Sequence, residues 1–330
     1  MILFLWVLLT LIGIKYQKVP KQKVLTKENT LVLKGICAIE IMIGHIGLAT
    51  GEKILFANRK AGILFVGIFM LISGYGLMYN WVNKKDYLKG FLKRRVTKIV
   101  ITAYIIYAIG TLLLQRPVTN FINLKEFFLE TNWYVWEIVG LYVVFLICAK
   151  LFKPKMLCIV IFSISVLFVV TAFVFKIDNP WYGSTLCFPL GIYFYINENI
   201  IFEKYVITPR YKGCIILLSG ILCITIALFF ALGEDSIIGN MISRNISAMS
   251  FTILVVFILC HFDIGNRMSV WLGNISYEIF LFHPIYIKLF ENMENNLLFA
   301  GSVTVATIVS AYIYKICERK AIYHSRKELV

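Results

Sequence analysis

The sequence predicts an all-α protein that crosses a membrane many times, and three observations carry that prediction. Apolar runs of about 17–25 residues, the length needed to cross about 30 Å of hydrocarbon, recur along the whole chain. Sixty per cent of the 330 residues are apolar and 15% are charged, where a soluble domain has roughly 45–50% and 25%. The bases also gather in alternate loops, as they do in polytopic proteins.

Taken in order, residues 2–14 (ILFLWVLLTLIGI) predict a first helix that is retained. They are short for a span, but no basic segment precedes them and no small-residue cleavage site follows. A polar, basic loop leads to a second helix at about 34–50 and a third at about 61–82. Further spans fall at about 99–115, 132–149, 156–175, 181–197, 213–232, 243–261, 270–289 and 298–316, giving about eleven by length and apolarity. With the N-terminus outside and the C-terminus cytoplasmic, 25 of the 33 bases fall on the inner side. The positive-inside rule selects that orientation. The net charge of +15 is then mostly a topology signal, and nucleic acid drops out as a partner. The lipid bilayer is the environment, and a cell (plasma) membrane the expected location.

No loop is long enough to hold a soluble domain; the longest, about 116–131, lies outside. Chemistry must come from helices and short loops. The eight cysteines are scattered without a CxxC or a Cys/His cluster, so no disulfide framework and no metal site are expected. No internal repeat is visible, which weighs against transporters built from two similar halves.

The stretch Lys34–His45 (KGICAIEIMIGH) holds the first chemical signal. Eleven residues turn roughly 1100°, so on a helix Lys34 and His45 share one face about 16 Å apart along the axis. Two readings stand: a snorkelling lysine with a packed histidine, or a functional pair, since an imidazole inside a span is expensive unless used or bonded. Glu40 points about 120° off that face and reads as the partner of a polar group on a neighbouring helix. His261 and His324 fall at or beyond the inner boundary and read as solvated, and Trp181 and Tyr182 as interfacial aromatics.

Five segments in order now resemble the membrane acyltransferase-3 family. LKGICAIEIMIGH is similar to its Arg-Gly, apolar run and histidine. IFMLISGYGLMYN is similar to its Phe-x-x-x-Ser-Gly block, here Phe69, Ser73 and Gly74, and FLKRRVTKI to its Arg-x-x-Arg element. WLGNISYEIFLFHPIY resembles its Gly-x-x-Ser-Tyr … His-Pro helix, and ICERK its closing Glu-Arg. The likeness covers about residues 30–320, leaving residues 1–33 as an additional helix and basic inner loop before a ten-helix domain at 34–330. Lys34 and Lys98 stand where the family has arginine, keeping the charge but losing the bidentate fork. Ile138 stands where the family often has Glu, and no role passes to Glu137.

The resemblance implies an O-acyltransferase that takes an acyl group, most simply acetyl, from cytoplasmic acyl-coenzyme A. The acceptor is a hydroxyl of a surface, capsular or cell-wall polysaccharide or a lipid-linked glycan. Lys34, Arg94, Arg95 and Lys98 would meet the coenzyme phosphates; positive-inside anchoring is the plainer reading of the same bases. His45 is the expected general base, because an imidazole titrates near working pH. His283, deep in the tenth span, either orients the acceptor, polarises the carbonyl or bonds a neighbouring helix. Ser73-Gly74 reads as an acyl-serine site or, better, as close helix packing. Ser276 and Tyr277 are assigned to substrate contact or packing. No fused hydrolase-like domain follows, so transfer is direct or finished by a separate partner. Two other classes compete: a polysaccharide or lipid-linked glycan exporter, and a sensory or anchoring module keeping the fold without the chemistry.

Overall fold

The computed structural model describes residues 13–51, 53–117, 119, 123–131, 133–233 and 236–327. The first expected span, at 2–14, falls outside these apart from its last two residues, as does the side chain of His324. The described residues form helices almost throughout: α1 (Lys27–Thr50), α2 (Lys53–Asn83), α3 (Phe91–Leu113), α4 (Leu124–Glu130), α5 (Trp133–Leu151) and α6 (Pro154–Val174). They continue with α7 (Cys187–Ile201), α8 (Arg210–Leu232), α9 (Ser243–His261), α10 (Arg267–Asn274), α11 (Ser276–Leu289) and α12 (Asn296–Lys327). Among the described residues, eight helices are long and apolar enough to cross a membrane, and the protein is an all-α, multi-pass membrane protein.

α1 starts ahead of its apolar run because Thr26 caps it, its side chain accepting from the Asn29 amide at 3.2 Å. Glu28 in the first turn adds a favourable charge at the positive end of the helix dipole. Gly51 ends the helix in the left-handed region, at φ 67°, where only glycine is unstrained.

Two expected spans take a different form. The run 181–197 becomes α7, which starts at Cys187 and runs on through a π-helical turn at Phe202–Val206. Pro180, Gly183, Ser184 and Thr185 are turn formers, and they keep the stretch before α7 out of the helix. The run 270–289 is two helices, α10 and α11, meeting at Ile275 (φ −117°, ψ 13°). Gly273 and Asn274 end α10, both poor helix formers. His283 therefore sits seven residues into α11, about 10 Å from its start, rather than deep along one continuous span.

α1 is the hub. It packs along α2, α10 and α11. From Val32 to Gly47 every residue is buried except Lys34 and His45, which are partly exposed. Glycines make that closeness possible. A Cβ on Gly35 would lie 2.1 Å from the Ser269 carbonyl oxygen, and one on Gly273 2.0 Å from the Leu31 oxygen. The α2–α7 crossing repeats the device, with Gly74 facing the Phe188 oxygen (2.0 Å) and Gly191 the Leu71 oxygen (2.1 Å). Small residues let helix backbones approach where lipid offers no hydrophobic drive to associate.

The basic loop before α1 is a strap across the end of α9. Lys15–Tyr16 pair antiparallel with Phe262–Asp263, Lys21 pairs with Asp263, and the Gln17 and Lys21 amides donate to the His261 and Cys260 carbonyls at 2.7 Å. His261 is thus partly covered, stacked near-parallel with Tyr16 and against Tyr211 at 4.6 Å, and only in part solvated.

Gly74→Ala forces a methyl into the α7 backbone, where overpacking costs about 1–3 kcal/mol. We expect a lower melting temperature in detergent, with Gly76→Ala, whose added methyl meets nothing within 4 Å, as the near-neutral control.

Candidate active site

Lys34 and His45, the two openings in the burial of α1, face two different cavities. The first holds about 280 Å³ and is lined by Lys34, Arg94, Arg95, Lys98 and Lys315 against one acid, Glu278. Ser73, Ser276, Tyr277, Tyr134 and Tyr142 complete much of its wall. The second holds about 320 Å³ and contains His45, Trp133, Asn179 and Arg244. We call them the basic chamber and the histidine chamber. Among the described residues, Phe280 is the one lining residue the two share.

The cations of the basic chamber are held individually. Arg94 donates to the backbone carbonyls of Tyr87 and Lys89, and Arg95 to the Tyr87 hydroxyl at 3.2 Å, with its guanidinium 5.8 Å from that ring's centre. Lys98 lies 3.3 Å from Glu318, the acid of the ICERK segment. Lys315 bridges Glu278 at 2.7 Å and Glu318 at 2.9 Å. Glu278 is almost fully buried, whereas the Lys98 side chain is 56% exposed, so the chamber opens at its Arg94–Lys98 end. Five bases and one acid line this cavity of about 280 Å³, a wall of net positive charge that favours an anion, because fixed charges in a low-dielectric wall attract strongly.

The serine and tyrosine candidates divide. The Ser276 hydroxyl donates to the Gly273 carbonyl (3.0 Å) and Tyr277 to the Ile99 carbonyl (2.9 Å). Their protons are committed to these backbone carbonyls while their surfaces line the chamber. Ser73 hydrogen-bonds with Tyr134 and Tyr142. Its neighbour Gly74 faces α7 instead, as a packing residue. Glu40 is buried outside both linings. Glu137 accepts from Thr185 at 2.6 Å and joins α5 to the turn before α7. Tyr182 is not an interfacial aromatic: it is buried, with its hydroxyl donating to Asn179 at 2.8 Å.

His45 and His283 meet. His45 Nδ1 lies 2.6 Å from His283 Nε2, with ring centres 4.9 Å apart and planes 14° from parallel. Each nitrogen sits about 1.15 Å from its ring centre, so the two radii and the N···N contact account for the whole separation, and the rings lie edge to edge in one plane with a linear hydrogen bond. The hydrogens follow. His283 Nδ1 lies 3.1 Å from the Ile279 carbonyl, which can only accept, so Nδ1 carries the hydrogen. In the uncharged pair, His283 Nε2 is then an acceptor and His45 Nδ1 donates to it. The basic lone pair of the dyad rests on His45 Nε2. His283, buried completely, positions the proton of His45 from behind the wall and is itself a lining residue of neither cavity.

Sequence reasoning missed Tyr134, Tyr142, Glu278, Lys315 and Phe280. Glu278 and Lys315 carried a readable signal, since ionisable residues inside apolar spans are expensive and usually paired. The tyrosines and Phe280 carried none, being three among 50 aromatic residues (18 Tyr, 26 Phe and 6 Trp).

Long apolar helices thus enclose a chamber rich in bases and, beside it, a pair of hydrogen-bonded histidines. The family profile described as an acyltransferase domain, that of the acyltransferase-3 proteins, matches residues 32–315. The chain belongs to that family and is a membrane acyltransferase. Comparisons with curated proteins and with solved structures found no match.

Lys315→Met leaves Glu278 buried without its cation, a change worth about 3–5 kcal/mol of destabilisation. Thermal melting should show that loss, and Glu278→Gln added to it should recover most of the stability.

Proposed function

We propose that the protein moves an acetyl group from cytoplasmic acetyl-coenzyme A to a hydroxyl of a surface, capsular or cell-wall polysaccharide or lipid-linked glycan. The observation that carries this reading is the pairing of the two chambers through α1, with Lys34 in one and His45 in the other. The basic chamber offers the coenzyme's phosphates Lys34, Arg94, Arg95 and Lys98. It takes the cytoplasmic side, where the donor is found and where the loop bases concentrate. The acceptor enters the histidine chamber, where Trp133 gives a flat apolar face for a sugar ring and Asn179 an amide.

His45 Nε2 takes the acceptor's hydroxyl proton as the oxygen attacks the thioester carbonyl. The new C–O bond forms, the C–S bond breaks, and the imidazolium returns its proton to the leaving thiolate, so charge and protons balance. The carbon passes directly from donor to acceptor. Ser73 bonds to two tyrosines in the other chamber, which supports direct transfer over an acyl-serine. On this reading the protein sits in a plasma membrane with its N-terminus outside and its C-terminus in the cytoplasm, the orientation that the loop bases favour.

Purified protein in nanodiscs should transfer labelled acetyl from acetyl-coenzyme A. Loss of the general base in His45→Ala should lower kcat by about 10²–10⁴, with the melting temperature as the folding control; full activity in that variant overturns the assignment. Arg95→Gln should raise KM for the donor about tenfold, the loss of one charge-assisted phosphate contact, with kcat little changed. NMR of the surface polysaccharide from cells with and without the gene identifies the acceptor.

A further inference from the structure

We propose that Phe280 is the partition between the two chambers and sets the size of the acyl group that crosses it. This inference rests on the transfer reading for its substrate, though the partition itself is a matter of geometry. A carbonyl that starts in the basic chamber and finishes at His45 must pass from one cavity to the other, and Phe280 is the described residue common to both linings.

The ring is well placed to act as a wall. It is 5% exposed. Tyr134, from the basic chamber, meets it edge-on with centres 5.1 Å apart, and His283 meets it at 5.8 Å, both at interplanar angles of 64°. On α11 it stands four residues after Ser276 and three before His283, about 6 Å and 4.5 Å along the axis. The ring thus sits between the chamber that Ser276 lines and the imidazole that His283 positions.

A partition clamped between Tyr134 and His283 discriminates by bulk. An acetyl group passes with a small displacement of the ring. A longer chain holds the ring out of its contacts with both neighbours, or it leaves its carbonyl short of His45. A closed ring also keeps water in the histidine chamber away from a thioester waiting in the basic one.

The test has two readouts. In the first, Ser73→Cys places a thiol in the basic chamber. The protein is reconstituted in one orientation, and a small membrane-impermeant methanethiosulfonate is added from either side, with the unsubstituted protein as the blank. Labelling of Ser73→Cys from one face only, and of Ser73→Cys with Phe280→Ala from both faces, is the expected result. The double variant still labelled from one face, or the single variant labelled from both, overturns the partition.

In the second readout, kcat/KM is compared for acetyl-, butyryl- and hexanoyl-coenzyme A. Phe280→Ala should raise the hexanoyl-to-acetyl ratio at least tenfold and increase donor hydrolysis without acceptor. Phe280→Leu, which keeps most of the volume, should fall between and stands in if the alanine variant does not fold. An unchanged chain-length profile overturns the selectivity role. Wild-type protein that consumes no acyl-coenzyme A overturns the transfer reading instead, and the labelling pattern still decides the partition.

Discussion

Everything in this molecule depends on α1 being enclosed on all sides while exposing two polar side chains. A helix so surrounded can present a charge or an imidazole only where its neighbours stand back, and at Lys34 and His45 they do. The glycine contacts at Gly35 and Gly273 fix α10 against its first turns, and the ring-to-ring hydrogen bond fixes α11 against its far end. The spacing of about 16 Å between the two openings is thereby held rigid, because a helix in contact along its length cannot bend or slide without breaking one of these fits.

The two chambers solve opposite electrostatic problems. In the basic chamber many like charges stand close together, and the carboxylates of Glu278 and Glu318 make that tolerable by holding Lys98 and Lys315 apart from the arginines. In the histidine chamber the proposed transfer needs a single neutral base of defined tautomer. Enzymes commonly orient such a histidine with a carboxylate. Here a second imidazole, itself fixed by the Ile279 carbonyl, does so without bringing a negative charge into the membrane interior, where charge is costly.

Much of this was legible in the sequence. The apolar runs and base distribution gave the class, and the Lys34–His45 spacing gave the shared face. The bases Lys34, Arg94, Arg95 and Lys98 do converge on one cavity with Ser73, Ser276 and Tyr277. Hydropathy misjudged the two segments where the chain turns inside an apolar stretch, before Cys187 and at Ile275. A window average cannot weigh a single Gly273-Asn274 pair against its apolar neighbours. The meeting of His45 with His283 was likewise beyond reach, because it depends on how α1 and α11 pack across 238 residues of intervening chain. Phe280 is a wall only by virtue of what lies on each side of it.

The enclosure of α1 also has a consequence for how the protein is made. Residue 45 leaves the ribosome 238 residues before its partner. At about 5–20 residues per second that interval is roughly 12–48 s. Throughout it, α1 must wait in or beside the insertion machinery with His45 lacking His283 of α11 and Gly35 lacking Ser269 and Gly273 of α10. The helix at the centre of the finished bundle is thus among the first made and the last to be surrounded, so assembly closes inward on an element that has been held in place from the start.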